Sequence, residues 1–107
     1  MTFPGPITQL PPFDGPFDAY RLAGTDCEVL FASYPKGTAI DAHTHDTHNV
    51  GIITTGRVRL TVDGRETTYG PGDWYEIAPG TSHSARFDVA TSEIEFWFLN
   101  DAPRDGG

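Results

Sequence analysis

Residues 37–56 have the sequence GTAIDAHTHDTHNVGIITTG, which places three of the chain's four histidines within six positions. These are His43, His45 and His48. In an extended strand, residues two positions apart point to the same face. His43 and His45 are therefore predicted to share one side, where two imidazoles can bind one metal ion. His48 breaks this alternation unless a β-bulge intervenes.

A β-hairpin is predicted directly after this segment. Arg57–Val62 alternates apolar and polar side chains, which is the pattern of a half-buried strand. Asp63-Gly64 follows, a pair typical of a two-residue turn, and Arg65–Tyr69 is predicted to return antiparallel. The fourth histidine, His83, lies beyond this hairpin and one further strand, and an antiparallel barrel can bring it beside the first pair.

The remaining β-rich segments are short and are separated by Gly and Pro residues, as in a β-sandwich or barrel. The sequence therefore predicts an all-β fold. The further predicted strands are Cys27–Tyr34, Asn49–Thr55, Trp74–Ile77, His83–Phe87 and Ser92–Leu99.

The last predicted strand has apolar residues on both faces. One face carries Ile94, Phe96 and Phe98, and the other carries Trp97 and Leu99 together with Glu93 and Glu95. Such a strand is expected between two sheets or at a subunit interface. The apolar lining of the barrel is expected to come from Ile53, Val58, Leu60 and Phe96.

A chain of 107 residues is expected to form one domain, here residues 17–100. Residues 1–16 are rich in Pro and Gly and are predicted to form an extended arm without a helix. Residues 101–107 are predicted to form a flexible tail. The arm can lie on its own barrel or on a second subunit, and together with the two-faced last strand it predicts a homodimer.

The charge of the chain bears on its partners and its location. Fifteen acidic residues against seven basic ones give a net charge of −8, which repels nucleic-acid phosphates and anionic membranes. Neither partner is expected. The chain lacks a run of about 20 apolar residues and the features of a secretory signal, so a cytoplasmic location is expected. The single cysteine, Cys27, is expected to be a small buried apolar residue.

The histidine-rich segment resembles the first sequence motif of the cupin family. The spacing Gly37-x5-His43-x-His45-x3-Asn49-x6-Gly56 is similar to the family pattern Gly-x5-His-x-His-x3,4-Glu-x6-Gly. Asn49 stands where the family has glutamate.

The second cupin motif also has a counterpart at the expected separation. Gly72-x5-Ala78-x-Gly80-x2-His83 is similar to the pattern Gly-x5-Pro-x-Gly-x2-His-x3-Asn. Ala78 replaces its first proline and Phe87 replaces its asparagine. The two motifs and the flanking strands imply a single cupin jelly-roll barrel over most of the chain.

The resemblance implies that His43, His45 and His83 bind one divalent transition metal ion near the barrel axis. Imidazole suits Fe, Mn, Ni, Zn and Cu alike, so the pattern does not select a metal. Two residues are candidates to complete the metal's ligands. Asn49 can offer its amide oxygen, and His48 can offer a nitrogen if a bulge turns it inward.

Cupins host many activities on one barrel, so the fold alone does not give the reaction. The first hypothesis is a metal-dependent enzyme for a small organic molecule, a dioxygenase, isomerase, cyclase or lyase. His48, Tyr75 or Glu76 would be its acid or base, although Glu76 is expected to point outward. Residues 45–51, HDTHNVG, are similar to the sugar-sensing cupin domains of arabinose-regulator-type transcription factors. That similarity implies the alternative of a non-catalytic small-ligand binding module.

Overall fold

The computed structural model describes residues 3–13 and 17–98, where nine β-strands form nearly all of the regular structure. The prediction of an all-β fold is therefore confirmed. The strands are β1 (Asp18–Ala23), β2 (Cys27–Tyr34), β3 (Ala39–His43), β4 (His48–Thr55), β5 (Val58–Val62), β6 (Arg65–Tyr69), β7 (Trp74–Ile77), β8 (His83–Arg86) and β9 (Thr91–Phe98).

The strands form two antiparallel sheets. One has the order β1-β2-β9-β4-β7 and the other the order β3-β8-β5-β6. Both contribute to a single core, because apolar side chains on alternate positions of each sheet are withdrawn from water. The most buried apolar side chains of the core are Ala19, Leu30, Ala32, Tyr34, Ile53, Val58, Leu60, Ile77 and Phe87.

The hairpin between β5 and β6 has the predicted two-residue turn. Val62 pairs with Arg65 across it, and the two turn residues have positive φ angles, 50° at Asp63 and 79° at Gly64. Both residues of a type I′ turn require such angles, which glycine adopts freely and aspartate tolerates.

The N-terminal segment differs from the prediction. A one-turn helix, α1, spans Gly5–Thr8, so the expectation of an arm without a helix was wrong. Pro6 is compatible with this helix because proline lacks a backbone N–H group. The N–H groups of a first turn have no acceptor within the helix, so no helical hydrogen bond is lost. Within residues 3–13 and 17–98, no helix is long and apolar enough to cross a membrane.

The described part of the arm lies on its own barrel. The Phe13 amide donates to the carbonyl of Ala19 at 2.8 Å, beside an isolated bridge between Pro12 and Tyr20. The Phe13 ring stacks on Phe17 with centroids 5.3 Å apart. This backbone pairing extends the five-stranded sheet beyond β1.

The face of β9 that points into the barrel is the opposite of the one expected. Glu93 and Glu95 are buried, whereas Phe96 lies on the outer face with its ring centroid 6.0 Å from that of Trp74. The register explains this, because Glu95 pairs with Leu30, which points into the core. The prediction that Phe96 lines the barrel was wrong.

Candidate metal centre and its cavity

The four-stranded sheet and the loop after β3 bring three histidines together. His43 ends β3 and pairs with His83, the first residue of β8. His45 lies in the loop after β3 rather than on the same strand as His43, which corrects the expectation of a shared strand. The amide of Gly80 donates to the carbonyl of His45 at 2.8 Å and ties this loop to the turn before β8.

The three imidazoles converge closely enough to share one ion. Nε2 of His43 lies 2.9 Å from Nε2 of His45, and one ring nitrogen from each histidine falls within 4.8 Å of the others. Their ring centroids are 4.3 to 4.9 Å apart. A histidine–metal bond is about 2.0–2.1 Å long, so nitrogens at these separations can surround one ion.

Backbone carbonyls orient two of the three rings. Nδ1 of His43 lies 2.7 Å from the carbonyl oxygen of Asp41, and Nδ1 of His83 lies 2.9 Å from that of Thr81. We assign Nδ1–H as the donor in both contacts, which leaves Nε2 with its lone pair free to bind a metal. An outer hydrogen bond of this kind fixes the tautomer of metal-binding histidines.

His45 is held in the neutral form that binds metals. Burial lowers the pKa of its imidazole, and the neighbouring His43 and His83 lower it further. Its ring packs edge-on against Trp97, with centroids 4.7 Å apart. Trp97 therefore positions the one histidine ring of the three that lies outside a strand.

The histidines open into a cavity of about 440 Å³ between the two sheets. Its walls are mostly apolar, and its polar side chains are three imidazoles, one amide, two phenols, two carboxyls, one threonine hydroxyl and one indole. A cavity of this size and composition is typical of small-molecule sites. It is lined by Phe17, Tyr34, Thr38, Ala39, Ile40, His43, His45, Asn49, Val58, Leu60, Tyr75, Ile77, His83, Ala85, Phe87, Glu93, Glu95 and Trp97.

Two glutamates from β9 are the most unusual members of this lining. Only 2% of Glu93 and 3% of Glu95 is exposed. The hydroxyl of Tyr75 donates to Glu93 Oε1 at 2.5 Å, and the hydroxyl of Tyr34 donates to Glu95 Oε2. Buried carboxyls need such partners, because an unpaired polar group in an apolar interior is costly.

Both phenols remain protonated donors at neutral pH. Burial raises the pKa of Tyr34 and of Tyr75, and the neighbouring glutamates raise both further. Gly51 makes room for one of these rings, because a Cβ atom at this position of β4 would overlap Tyr75.

The structure separates the remaining predicted site residues into two groups. Asn49 and Tyr75 line the cavity, and Nδ2 of Asn49 donates to the Phe96 carbonyl at 3.3 Å. His48 and Glu76 lie on the outer face of the sheet, where Nε2 of His48 is 2.5 Å from Glu76 Oε2. Their side chains are 36% and 65% exposed. The register of β4 with β9 is continuous at His48, with no bulge to turn it inward.

Sequence reasoning missed the functional potential of Glu93 and Glu95. The alternation of β9 did place them on one face with Trp97, but an apolar-inside rule favours the opposite face, which carries Ile94 and Phe96. The available signal was the pair of tyrosines at Tyr34 and Tyr75 on inward-facing strand positions, which supply the hydroxyls that these carboxyls need.

A comparison with models of protein families identifies the family of this chain. The family described as the cupin domain matches residues 30–98. The chain belongs to the cupin family. The fold and both sequence motifs agree with this assignment, and the resemblance to the cupin family is confirmed.

One curated relative is a quercetin 2,3-dioxygenase of Bacillus subtilis, strain 168. This cupin is 37% identical to it over 67 residues, which are 62% of this chain and 20% of the relative. The chain thus spans about a fifth of the length of that relative.

Several solved structures share the fold at low sequence identity. An RmlC-like cupin from Shewanella frigidimarina superposes with a TM-score of 0.78 at 21% identity, covering 100% of this chain and 95% of that one. KdgF from Halomonas sp. gives a TM-score of 0.74 at 19% identity, covering 88% of each chain. The DMSP lyase DddQ from Ruegeria pomeroyi gives a TM-score of 0.70 at 22% identity, covering 82% of this chain and 49% of that one.

Proposed function

We propose that this cupin is a mononuclear metal-dependent enzyme that acts on a small organic molecule. The observation that carries the proposal is the convergence of His43, His45 and His83 in the wall of the cavity. Three neutral imidazoles, two of them oriented through Nδ1, fit a divalent transition metal such as Fe, Mn, Ni, Zn or Cu. When bound, such an ion would polarise an oxygen atom of the ligand.

The residues of the chain itself supply the rest of the site. The apolar walls from Val58, Leu60 and Ile77 exclude water and select ligands by shape. Asn49 offers a neutral amide in the position where the family pattern has a carboxylate, and Tyr75 and Glu93 offer exchangeable protons deeper in the cavity.

The dioxygenase relative suggests a first substrate to test. Quercetin is a hydroxylated aromatic molecule, and an apolar cavity with a few convergent polar groups suits that chemical class. The match covers only part of the relative, so quercetin is a starting point for a screen that also includes smaller enols and phenols.

Metal analysis tests this proposal. Protein grown with each of the five candidate metals should contain close to one ion per chain by elemental analysis. The double variant His43→Ala/His45→Ala should lose it, and His48→Ala should retain it as the matched control on the outer face. Wild-type protein without stoichiometric metal under all of these conditions would contradict the enzyme proposal.

A second candidate function is a small-ligand binding module without catalysis. Asn49 favours it, because three neutral imidazoles and a neutral amide leave a divalent charge less well offset than a carboxylate would. Ligand binding that is unchanged in the metal-free His43→Ala/His45→Ala variant would support this alternative.

We also propose that two copies of the chain associate through the outer face of the five-stranded sheet. Phe31, Ile94, Ile52 and Trp74 form a row across four adjacent strands of this face, as their register shows. Trp74 is 56% exposed. Each copy carries a net charge of −8, so association requires an apolar face of this kind rather than a charged one.

A further inference from the structure

Glu93 and Glu95 share one face of β9 and point into the cavity of the histidine cluster. The residues that line this cavity include no lysine and no arginine. In the metal-free protein, two ionised carboxylates would therefore lie side by side in an apolar interior with no lysine or arginine to offset them, which is strongly unfavourable. One proton retained between the two groups removes most of that cost.

The hydrogen bonds distinguish the two carboxyls. Both oxygens of Glu95 accept from strong donors, because Tyr34 donates to Oε2 and Nε1 of Trp97 donates to Oε1 at 3.1 Å. A carboxyl that accepts at both oxygens is best satisfied as the ionised form. Glu93 accepts from Tyr75 at one oxygen, which leaves its other oxygen to carry the proton.

The surroundings agree with this assignment. Burial raises the pKa of Glu93 well above its ordinary value of 4.5, and the charge of the neighbouring Glu95 raises this pKa further. The titratable groups that face the pair are Tyr34 from β2, Tyr75 from β7 and the three histidines across the cavity. Neither tyrosine carries a positive charge that would offset the charge of the carboxylates.

We propose that Glu93 and Glu95 form a pair that shares one proton and acts as the acid–base group of this cavity. The pair carries one negative charge, so it can accept one further proton from a ligand hydroxyl. The O–H bond of the ligand breaks, its electron pair stays on the ligand oxygen, and the proton is bound by the carboxylate. The pair becomes neutral, which its apolar surroundings favour.

This inference rests on the proposed function because it requires the metal ion, and it adds a class of ligand to that function. A divalent ion held by His43, His45 and His83 would stabilise the negative ligand oxygen that remains. The ligand class is therefore a small enol or phenol, whose hydroxyl is acidic enough to give up a proton at this site. The pair returns this proton when the product leaves.

The protonation state can be measured on metal-free protein, independently of any activity. In protein with ¹³C-labelled glutamate carboxyl groups, nuclear magnetic resonance at neutral pH should show one buried protonated carboxyl. Glu93→Gln should remove this signal. Glu95→Gln should shift its titration to lower pH, because a like charge has been removed. Glu66→Gln, on the exposed strand β6, is the control. Two ionised carboxyls at neutral pH would overturn the proposal.

The ligand class is tested with 4-nitrocatechol, whose absorption spectrum reports the ionisation of its hydroxyls. Metal-loaded wild-type protein should bind it as the anion below the pH at which it ionises in solution. Glu93→Gln and Glu95→Gln should bind it about tenfold more weakly, the loss expected from one charge-assisted hydrogen bond. Equal binding by all variants, or no binding to loaded wild-type protein, would overturn the ligand class. Failure to load metal would instead count against the proposed function and leave the carboxyl measurement valid.

Discussion

At the scale of single residues, we propose that Asn49 affects how well the histidine cluster can hold a divalent ion. We expect Asn49→Glu to raise metal affinity about tenfold or more, since each factor of ten corresponds to ~1.4 kcal/mol. The reason is that Asn49 faces the cavity, where a charged oxygen offsets the metal charge better than an amide does. Metal titration with a competing chelator measures the change.

The matched control for this prediction is His48→Ala. His48 lies on the outer face with Glu76, so its removal should leave metal affinity unchanged. In metal-free form Asn49→Glu should be less stable than wild type, because a carboxylate replaces the amide that donates to the Phe96 carbonyl. Loss of affinity in His48→Ala would mean that this residue reaches the metal after all.

The histidine cluster could be predicted from the sequence because its members stand at the fixed spacings of two known motifs. His43, His45 and His83 have the separations of the two cupin motifs, and the barrel brings them within 4.8 Å. The carboxyl pair was not predicted, since burial of Glu93 and Glu95 depends on hydroxyls that arrive from β2 and β7. Such pairing between distant strands is not encoded by any local pattern.

At the scale of elements, the hairpin of β5 and β6 depends on its turn. Gly64 has a φ of 79° and no atom within 4 Å of the position of a Cβ. Gly64→Val should therefore destabilise the fold through backbone strain alone, by about 1–3 kcal/mol. Chemical denaturation measures this change in the free energy of unfolding.

Gly70→Val is the control for the hairpin prediction. Gly70 does not have a positive φ, and its nearest neighbour beyond the adjacent residues is 3.9 Å from a built Cβ. The same side chain is added there without the left-handed strain. Equal destabilisation by both substitutions would show that the turn geometry is not the cause.

Strands β5 and β9 show when a sequence pattern can predict which face of a strand is buried and when it cannot. The alternation of β5 was predicted correctly because one face is clearly apolar, with Val58 and Leu60 buried. Strand β9 has apolar residues on both faces, so alternation gives its period but not which face points inward. Its position between β2 and β4 decides that, and this position is a property of the whole sheet.

At the scale of the whole molecule, the outer face of the five-stranded sheet predicts a dimer. Light scattering should report twice the chain mass of 11.7 kDa. Phe96→Glu should shift the protein to monomer, because Phe96 lies near the middle of that face and a buried charge there would be repeated in both copies. Thr68→Glu, exposed on β6, should leave the mass unchanged. A wild-type monomer at high concentration would refute the association.

The stability of the molecule as a whole should depend on pH through Glu93. Its pKa is raised by burial, so the folded state binds this proton more tightly than the unfolded chain does. The stabilisation is fully present below the ordinary value of 4.5 and is lost as pH rises through the raised value. Wild-type protein should therefore lose stability from Glu93 as the solution becomes more basic.

Glu93→Gln isolates that contribution, because the amide keeps the shape of the protonated acid and cannot ionise. The melting temperature of this variant minus that of wild type should be constant below about pH 4.5 and should increase as the pH is raised above it. Subtracting the two melting temperatures removes the effect of the groups that titrate in both proteins. Glu66→Gln controls for the loss of one negative charge from a chain with a net charge of −8. A difference that stays flat as the pH is raised would mean that Glu93 is ionised in the folded protein, and the carboxyl pair would then hold no proton.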